Sequence, residues 1–459
     1  MTFSTKGSGW RNVSGATSLR SLMTSIVLST FAIATPAAAQ GNWWDGPQTG
    51  APSYSSKKSD DSSNRSERQP ENLEDLRPGG IPWCSDEMFN AIGGAIERYE
   101  KIVANGGWPL LQKGRMLRPG DEDERIPALR QMLRITGDMA AKGQYYSSQT
   151  FDSELEEGVK RFQKRHGLRP TGAIVQSMYP VFSVTAQQRL EQLKVNFDRL
   201  RALGSCGSED RYVFVNVPAF QLEAVERREV QQRHRTIVGR PGRDTPDVRT
   251  VIKALNFFPF WRVPDSIAML DLVPLARKTP EYLTNEGIRV FNGYNGPELD
   301  RSIIDWNAPQ VASYKFKQDP GEKNALGLVR LDMSNEHGVY MHDTPMKKLF
   351  DQRSRPFSAG CVRVQEVFDL AEWLARYEVG WEQPGQVRRV LDAGQALDVN
   401  LTRPVPVYFA YITAWAEPST GRVEFRSDIY GRDGAAMHGV YARDEEDAPP
   451  ASAASALAP

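Results

Sequence analysis

The sequence predicts an α+β chain, helical in its first half and mostly β in its second. Three observations carry this prediction. Apolar residues recur at three- and four-residue spacing between Ser85 and Gly204, alternation replaces that spacing from Tyr212 onward, and Gly and Pro breakers separate the runs. The 459 residues suit about three domains. With 40% hydrophobic and 25% charged residues the composition is that of a globular chain. The 57 basic and 57 acidic residues leave no excess positive charge to neutralise phosphates, which argues against a nucleic-acid partner.

At the N-terminus, Lys6, Arg11 and Arg20 precede an apolar stretch from Leu22 to Ala34 and then Pro36-Ala37-Ala38-Ala39-Gln40. That order reads as an export signal cleaved after Ala39. The alternative is an uncleaved membrane anchor, against which Thr35 and Pro36 interrupt the run. No later segment approaches about 18 uninterrupted apolar residues, so a membrane contact is expected only through that signal. Removing residues 1–39 takes away three basic residues and no acidic one, so the mature chain has 54 basic against 57 acidic residues. Residues 40–82, rich in Ser, Asp, Lys, Pro and Gly, read as a flexible tether.

From Ser85 the positions Met88, Phe89, Ile92, Ile96, Tyr99, Ile102 and Val103 mark one face of a helix that stops at Asn105-Gly106-Gly107. Residues 117–180 form a separate small unit. Ile126, Leu129 and Leu133 share a face that ends near Gly137, and a second helix, capped by Asp152 or Ser153, carries Leu155, Val159 and Phe162. Thr185 and Gln188 give a capping-box pattern for a further helix with Leu190, Leu193, Phe197 and Leu200, ending at Gly204. This helix is expected to pack on the first one. Strands are expected at Tyr212–Val217, Leu328–Met333, Val339–Met341 and Val405–Trp415, the last pairing with Val423–Arg426. Residues 257–320, with Trp261 and Trp306 among several prolines, are too long for a hairpin loop and read as a functional lid. Residues 444–459 read as disordered.

None of the five histidines, His166, His234, His337, His342 and His438, falls in a zinc pattern, and no Cys pair has metal spacing. Phosphate-loop and serine-hydrolase motifs are absent. No metal or cofactor is therefore expected. The stretch that stands apart runs from His337-Gly338-Val339-Tyr340-Met341-His342-Asp343-Thr344-Pro345 to Phe357-Ser358-Ala359-Gly360-Cys361-Val362-Arg363. A thiol is a strong nucleophile only as thiolate and needs an imidazole to take its proton. His342, ending a short strand, suits that role for Cys361. Gly360 leaves room for an oxyanion held by main-chain N–H groups. A helix starting near Gln365 is expected to lend its N-terminal dipole to the sulfur. Alone, a Cys is usually an inert core residue and a His usually structural. Together, in an exported chain with three cysteines, they point to catalysis.

The segment resembles the signature of L,D-transpeptidases of the YkuD type, in which a His precedes Ser-His-Gly-Cys-x-Arg by 15–20 residues. Here His342 and Cys361 are 19 apart, and Arg363 follows. The resemblance is closest to the large, multidomain Gram-negative branch, through His-Asp-Thr-Pro, Leu349-Phe350, the Pro320-Gly321 to Asn324-Ala325-Leu326-Gly327 segment, and Tyr411 to Trp415. Phe162-Gln163, Gly167-Leu168 and Thr171-Gly172 resemble a peptidoglycan-binding module, although a generic helical hairpin also fits them. Ala359 departs from the pattern, since the wider family commonly has His there.

The resemblance implies an α+β architecture, and with the terminal segments read above the chain is expected in six parts. The expected bounds are a signal (1–39), a tether (40–82), a helical scaffold (83–116 and 181–205) bracketing the module (117–180), and a mostly β YkuD-like sandwich (206–436) with a capping insertion (257–320). A disordered tail (437–459) ends the chain. It also implies a periplasmic cell-wall enzyme contributing to cell shape and sensitive to carbapenems. Cys361 would attack the diaminopimelate carbonyl of a tetrapeptide stem, release D-Ala through a thioester, and pass the acyl group to an amine, giving a 3→3 cross-link. His342 would be the base, the Asp343 main-chain carbonyl its orienter, and the Gly360 and Cys361 N–H groups the oxyanion donors. Arg363 would hold a substrate carboxylate or form a structural salt bridge. Tyr340 and Ser358 would line the pocket, and Asn324 would be a turn residue. Competing readings are a cysteine carboxypeptidase or amidase, attachment of outer-membrane proteins to peptidoglycan, and a wall-binding tether with a vestigial site.

One further expectation concerns Cys84 and Cys206. They lie just before the first scaffold helix and just after the last, so antiparallel packing of those helices would bring them within bridging distance, leaving Cys361 free.

Overall fold

The computed structural model describes residues 76–140, 147–204 and 208–434. The expected signal, Cys206, most of the tether and the tail 437–459 lie outside the described residues. Helix α1 (Asp86–Ala104) begins where the Ser85 side chain accepts the Met88 N–H, with Asp86 and Glu87 in its positive first turn. Helices α2 (Ile126–Ile135) and α3 (Ser153–Arg165) and the single turn α4 (Tyr179–Phe182) follow. Helix α5 (Ala186–Leu203) opens with the reciprocal capping box of Thr185 and Gln188. It meets α1 through stacked Phe89 and Phe197 rings, 4.4 Å apart, and an exposed Lys194–Glu100 pair.

The small unit is held by side chains that explain its motif. Asp152 caps α3 by accepting the Leu155 N–H. Gln163 donates to the Ala173 carbonyl at 2.7 Å and accepts the Gly172 N–H at 2.9 Å, joining Phe162-Gln163 to Thr171-Gly172. The unit docks on the β region through His166, whose ring lies 3.8 Å from Phe162 and 5.3 Å from Phe425.

The β region comprises β1 (Arg211–Asn216), β2 (Gln221–Glu226), β3 (Glu229–Gly239), β4 (Val248–Phe257), β8 (Val329–Met333), β9 (Met341–His342), β10 (Pro356–Ser358), β11 (Val362–Val364) and β12 (Leu397–Ala410). Their order is β10-β3-β11-β9-β8-β4-β12-β1-β2, and β2 also pairs with β3, so the ladder returns on itself. Val213, Val215, Leu255, Leu331, Val362 and Val407 fill its interior, closed by helices α9 (Val367–Ala375) and α10 (Gln386–Ala393). Strand β1 is buried on both faces. Val213 and Val215 face this core, while the alternate Tyr212 and Phe214 join the helical core with Trp83 and Trp415. That shared wall fastens the helical half to the β half.

Between β4 and β8 the chain builds a second layer. It holds β5 (Trp261–Arg262), α6 (Asp265–Ile267), a π-helical turn (Ala268–Leu272), α7 (Val273–Lys278), α8 (Glu281–Asn285), β6 (Ile288–Phe291) and β7 (Lys315–Gln318). Strands pair as β5-β7-β6. Trp261, Leu272, Val290, Trp306, Phe316 and Leu326 form a core of their own. That core runs six residues past the expected end at 320.

Three expectations need correction. Residues 77–82 are not a free tether: the Gly79 N–H donates to the Val230 carbonyl at 2.7 Å, and Arg233 donates to the carbonyls of Arg77 and Gly79. The strand expected at Val339–Met341 is only Met341–His342. The strand expected at Val405–Trp415 starts earlier, at Leu397, passing Pro404 through a register shift between Asn400 and Val405, where the missing N–H is tolerated. It then breaks, because the Asn216 and Asn196 side chains take the N–H groups of Ile412 and Thr413. The chain re-enters as β13 (Ala414–Ala416), paired with β14 (Val423–Phe425).

Candidate active site

Two short strands gather the expected residues. β11 runs parallel to β9 with Arg363 opposite His342, and the Val362 N–H donates to the Tyr340 carbonyl at 3.0 Å. Side chains alternate, so Val362 and Met341 enter the core and the paired His342 and Arg363 take the other face, while Cys361 and Tyr340, just before the two strands, pack at the edge of the core. The Tyr340 and His342 rings meet edge to face at 5.7 Å. Cys361 and His342 are diagonal neighbours across the pair.

The state of His342 follows from its hydrogen bonds. Nδ1 lies 2.5 Å from the Asp343 carbonyl oxygen, which can only accept, so Nδ1 carries the proton. Nε2 is then the unprotonated nitrogen, and it is buried without a hydrogen-bond partner among the described residues. Burial, with the charge of Arg363 adding to it, holds the imidazole down at about 3. Burial pushes the Cys361 thiol up to about 11, tempered by the Tyr340 main-chain N–H and by Arg363. At rest the thiol and the imidazole are therefore both neutral, with Cys361 8% exposed and His342 fully buried. The expected helix-dipole assistance is absent, because helix α9 starts only at Val367, after the extended residues Val362–Val364. A helix dipole acts only within about one turn of the helix end.

Ser358 does not line a pocket as expected. It is fully buried; its hydroxyl donates to the Cys361 carbonyl at 2.6 Å and accepts the Gly360 N–H at 3.1 Å. That second bond occupies the N–H expected to serve an oxyanion. Gly360 itself adopts φ +123°, a conformation L side chains rarely take. Arg363, two residues after the cysteine, is fully buried, and burial lowers it to about 10. In that position it acts on the site through its charge. Tyr340 is half-buried at the rim, with the Arg330 guanidinium 5.6 Å from its ring.

The Asp343 side chain is fixed as firmly as its carbonyl. Its carboxylate accepts the Leu328 N–H at 2.9 Å and pairs with Lys347. Asn324 makes a turn, as expected, donating to Pro259 and Asp319 carbonyls and accepting the Leu326 N–H.

Several supporting residues were not legible in advance. The Thr245 hydroxyl donates to the Gly360 carbonyl and accepts the Gly239 N–H, both at 2.8 Å, and the Tyr430 hydroxyl donates to the Gly239 carbonyl at 2.6 Å. The Arg240 N–H holds the Ser358 carbonyl at 2.9 Å. The second layer reaches the site here. Tyr340 and Ala359 pack on its core, and its Asp271 pairs with Arg240 and Arg243. These partners lie far apart in sequence and leave no local pattern.

Cys84 is disulfide-bonded and Cys361 is a free thiol; Cys206, its expected partner, lies outside the described residues. Among the described residues no group of His, Cys, Asp and Glu is placed to hold a metal ion, and no helix is long and apolar enough to cross a membrane.

Comparison with known proteins finds the following likenesses. Residues 210–407 match the family YkuD, described as an L,D-transpeptidase catalytic domain. Residues 122–174 match a family described as "Putative peptidoglycan binding domain". A Haemophilus influenzae protein described as "Putative L,D-transpeptidase" is 30% identical over 262 residues, 56% of this chain and 52% of that protein. The chain thus spans about half the length of that relative. A solved L,D-transpeptidase from Mycobacterium smegmatis is 14% identical, with a TM-score of 0.23 over 44% of this chain and 58% of that one.

Proposed function

We propose that the chain acts as an L,D-transpeptidase, in keeping with its matches to the YkuD catalytic-domain family and to a peptidoglycan-binding family, with Cys361 as nucleophile and His342 as base. The observation that carries this reading is the His342 tautomer. Its Nδ1–H is committed to the Asp343 carbonyl, which leaves Nε2 buried and without a hydrogen-bond partner among the described residues, one diagonal step from Cys361 across the β9–β11 pair.

The substrate is a peptidoglycan tetrapeptide stem. As its diaminopimelate carbonyl reaches Cys361, the thiol proton passes to His342 Nε2 and the sulfur bonds to carbon. The carbonyl oxygen takes up negative charge, which the Tyr340 and Cys361 N–H groups stabilise. The C–N bond then breaks, the proton moves from His342 to the leaving amine, and D-Ala departs, leaving a thioester. An acceptor amine attacks that thioester, gives its proton to His342, and restores the thiol. Arg363 favours this cycle twice, lowering the cost of a thiolate and opposing a resting imidazolium. The peptidoglycan-binding domain raises the local concentration of stems, and the site of action is the periplasm. The acceptor is a second diaminopimelate side chain, giving a 3→3 cross-link.

The test is incubation of the enzyme with purified disaccharide-tetrapeptide and mass analysis of the products. Cross-linked dimer with released D-Ala supports transfer. Tripeptide alone supports hydrolysis by water, and a conjugate of the stem with an outer-membrane protein, formed in place of dimer when that protein is supplied, supports that acceptor. Cys361→Ala should abolish product and carbapenem adducts while leaving the fold intact, and His342→Ala should be nearly as severe. Wild-type product from Cys361→Ala would overturn the assignment.

A further inference from the structure

With Arg363 fully buried, the free carboxylate of the substrate needs another partner, and the loop 239–245 offers one. This loop wraps the nucleophile turn: a Cβ on Gly360 would lie 3.6 Å from the Asp244 carbonyl oxygen and 3.8 Å from that of Arg243. The Arg240 N–H is fixed to the Ser358 carbonyl, three residues before Cys361. Two guanidinium groups rise from the loop, and both meet the single carboxylate of Asp271. They are not equivalent. Arg243 is 17% exposed and makes the close contact, whereas Arg240 is 41% exposed and stands 3.4 Å from Asp271.

We propose that Arg240 is the substrate-carboxylate anchor, binding the terminal carboxylate of the residue that leaves. Arg243 keeps Asp271, and with it the second layer, in place. Arg240 gives up its longer contact and takes the incoming carboxylate through the paired N–H geometry that suits a guanidinium. In the acyl-donor stem that carboxylate belongs to D-Ala, one residue beyond the scissile carbonyl, and the Arg240 main chain is tied to Ser358, three residues before Cys361. Arg240 is thus a specificity residue for stems ending in a free acid. The inference rests on the transfer reading above.

The experiment measures kcat/KM for release of the terminal amine, D-Ala from disaccharide-tetrapeptide and D-alaninamide from the same compound with a C-terminal carboxamide, in the wild type and in Arg240→Gln and Arg240→Lys. The wild type should prefer the acid by about ten- to hundredfold, equivalent to about 1.4–2.7 kcal/mol. Arg240→Gln should bring that ratio close to one, mainly through KM for the acid. Arg240→Lys should restore part of the preference, which a merely structural role would not do, and thermal melting of both variants reports that they fold. Equal use of acid and amide by the wild type, or an undiminished preference in Arg240→Gln, would overturn the anchor. Turnover of neither compound by the wild type would overturn the transfer reading, and the anchor with it.

Discussion

Replacing Gly327 by Ala tests how tightly the base is held. Gly327 sits at φ +61°, and a Cβ there would lie 2.3 Å from Asp343 Oδ2, 2.4 Å from Cγ and 2.5 Å from Cβ. Left-handed backbone costs a residue with a Cβ about 1–2 kcal/mol. Forcing a methyl into a filled site costs about 1–3 kcal/mol more. The sum, roughly 2–5 kcal/mol, cannot be relieved by a flexible tip, because the clash reaches the Asp343 Cβ. It falls on the residue whose carbonyl fixes His342. At about 2–4 °C per kcal/mol for a domain of this size, the melting temperature should drop by roughly 5–20 °C. Acylation of Cys361 should fall more than stability alone explains, since the Nε2 lone pair is re-aimed. Gly293→Ala is the control: at φ +83° with nothing within 4 Å it carries the backbone cost only. Scanning calorimetry and the acylation rate by intact-protein mass spectrometry provide the two readouts. A Gly327→Ala protein with wild-type melting and acylation would refute the packing argument.

Other outcomes follow from the same geometry. His342 is held at about 3 when folded, against about 6.5 in an unfolded chain. Its contribution to stability is therefore complete above pH 6.5 and is lost as pH falls toward 3; His342→Gln should flatten that acid limb in denaturation curves taken across the range. Ser358→Ala removes two hydrogen bonds from the nucleophile turn and should cost about 1–3 kcal/mol in denaturant titrations, with slower acylation. Because Cys84 is bridged and Cys361 free, the denatured, unreduced protein should titrate with one thiol, and three would contradict the bridge.

How much of this was legible depends on the range of the interactions. The caps at Ser85 and Asp152 and the box of Thr185 and Gln188 act within three residues, so the helices could be read from their own sequence. The His342–Cys361 segment was legible because its chemistry is carried by residue types at a fixed spacing. Strand β12 was misjudged at both ends, since its start passes two prolines and its end is set by Asn216 and Asn196, about 200 residues away. Ser358 was misassigned for a related reason. A serine beside a nucleophile looks like pocket lining until its two partners, Gly360 and Cys361, are seen. Thr245, Tyr430, Asp271 and Arg240 act across the fold, where no periodicity or motif records them.

The central claim is that Cys361 carries the acyl group. Brief incubation of the full chain with disaccharide-tetrapeptide, followed by intact-protein mass spectrometry and peptide mapping, tests it most directly. The account predicts one adduct with the mass of the substrate less D-Ala, located on Cys361 and released by hydroxylamine. An adduct located on any other residue, or D-Ala release undiminished in Cys361→Ala, would contradict it.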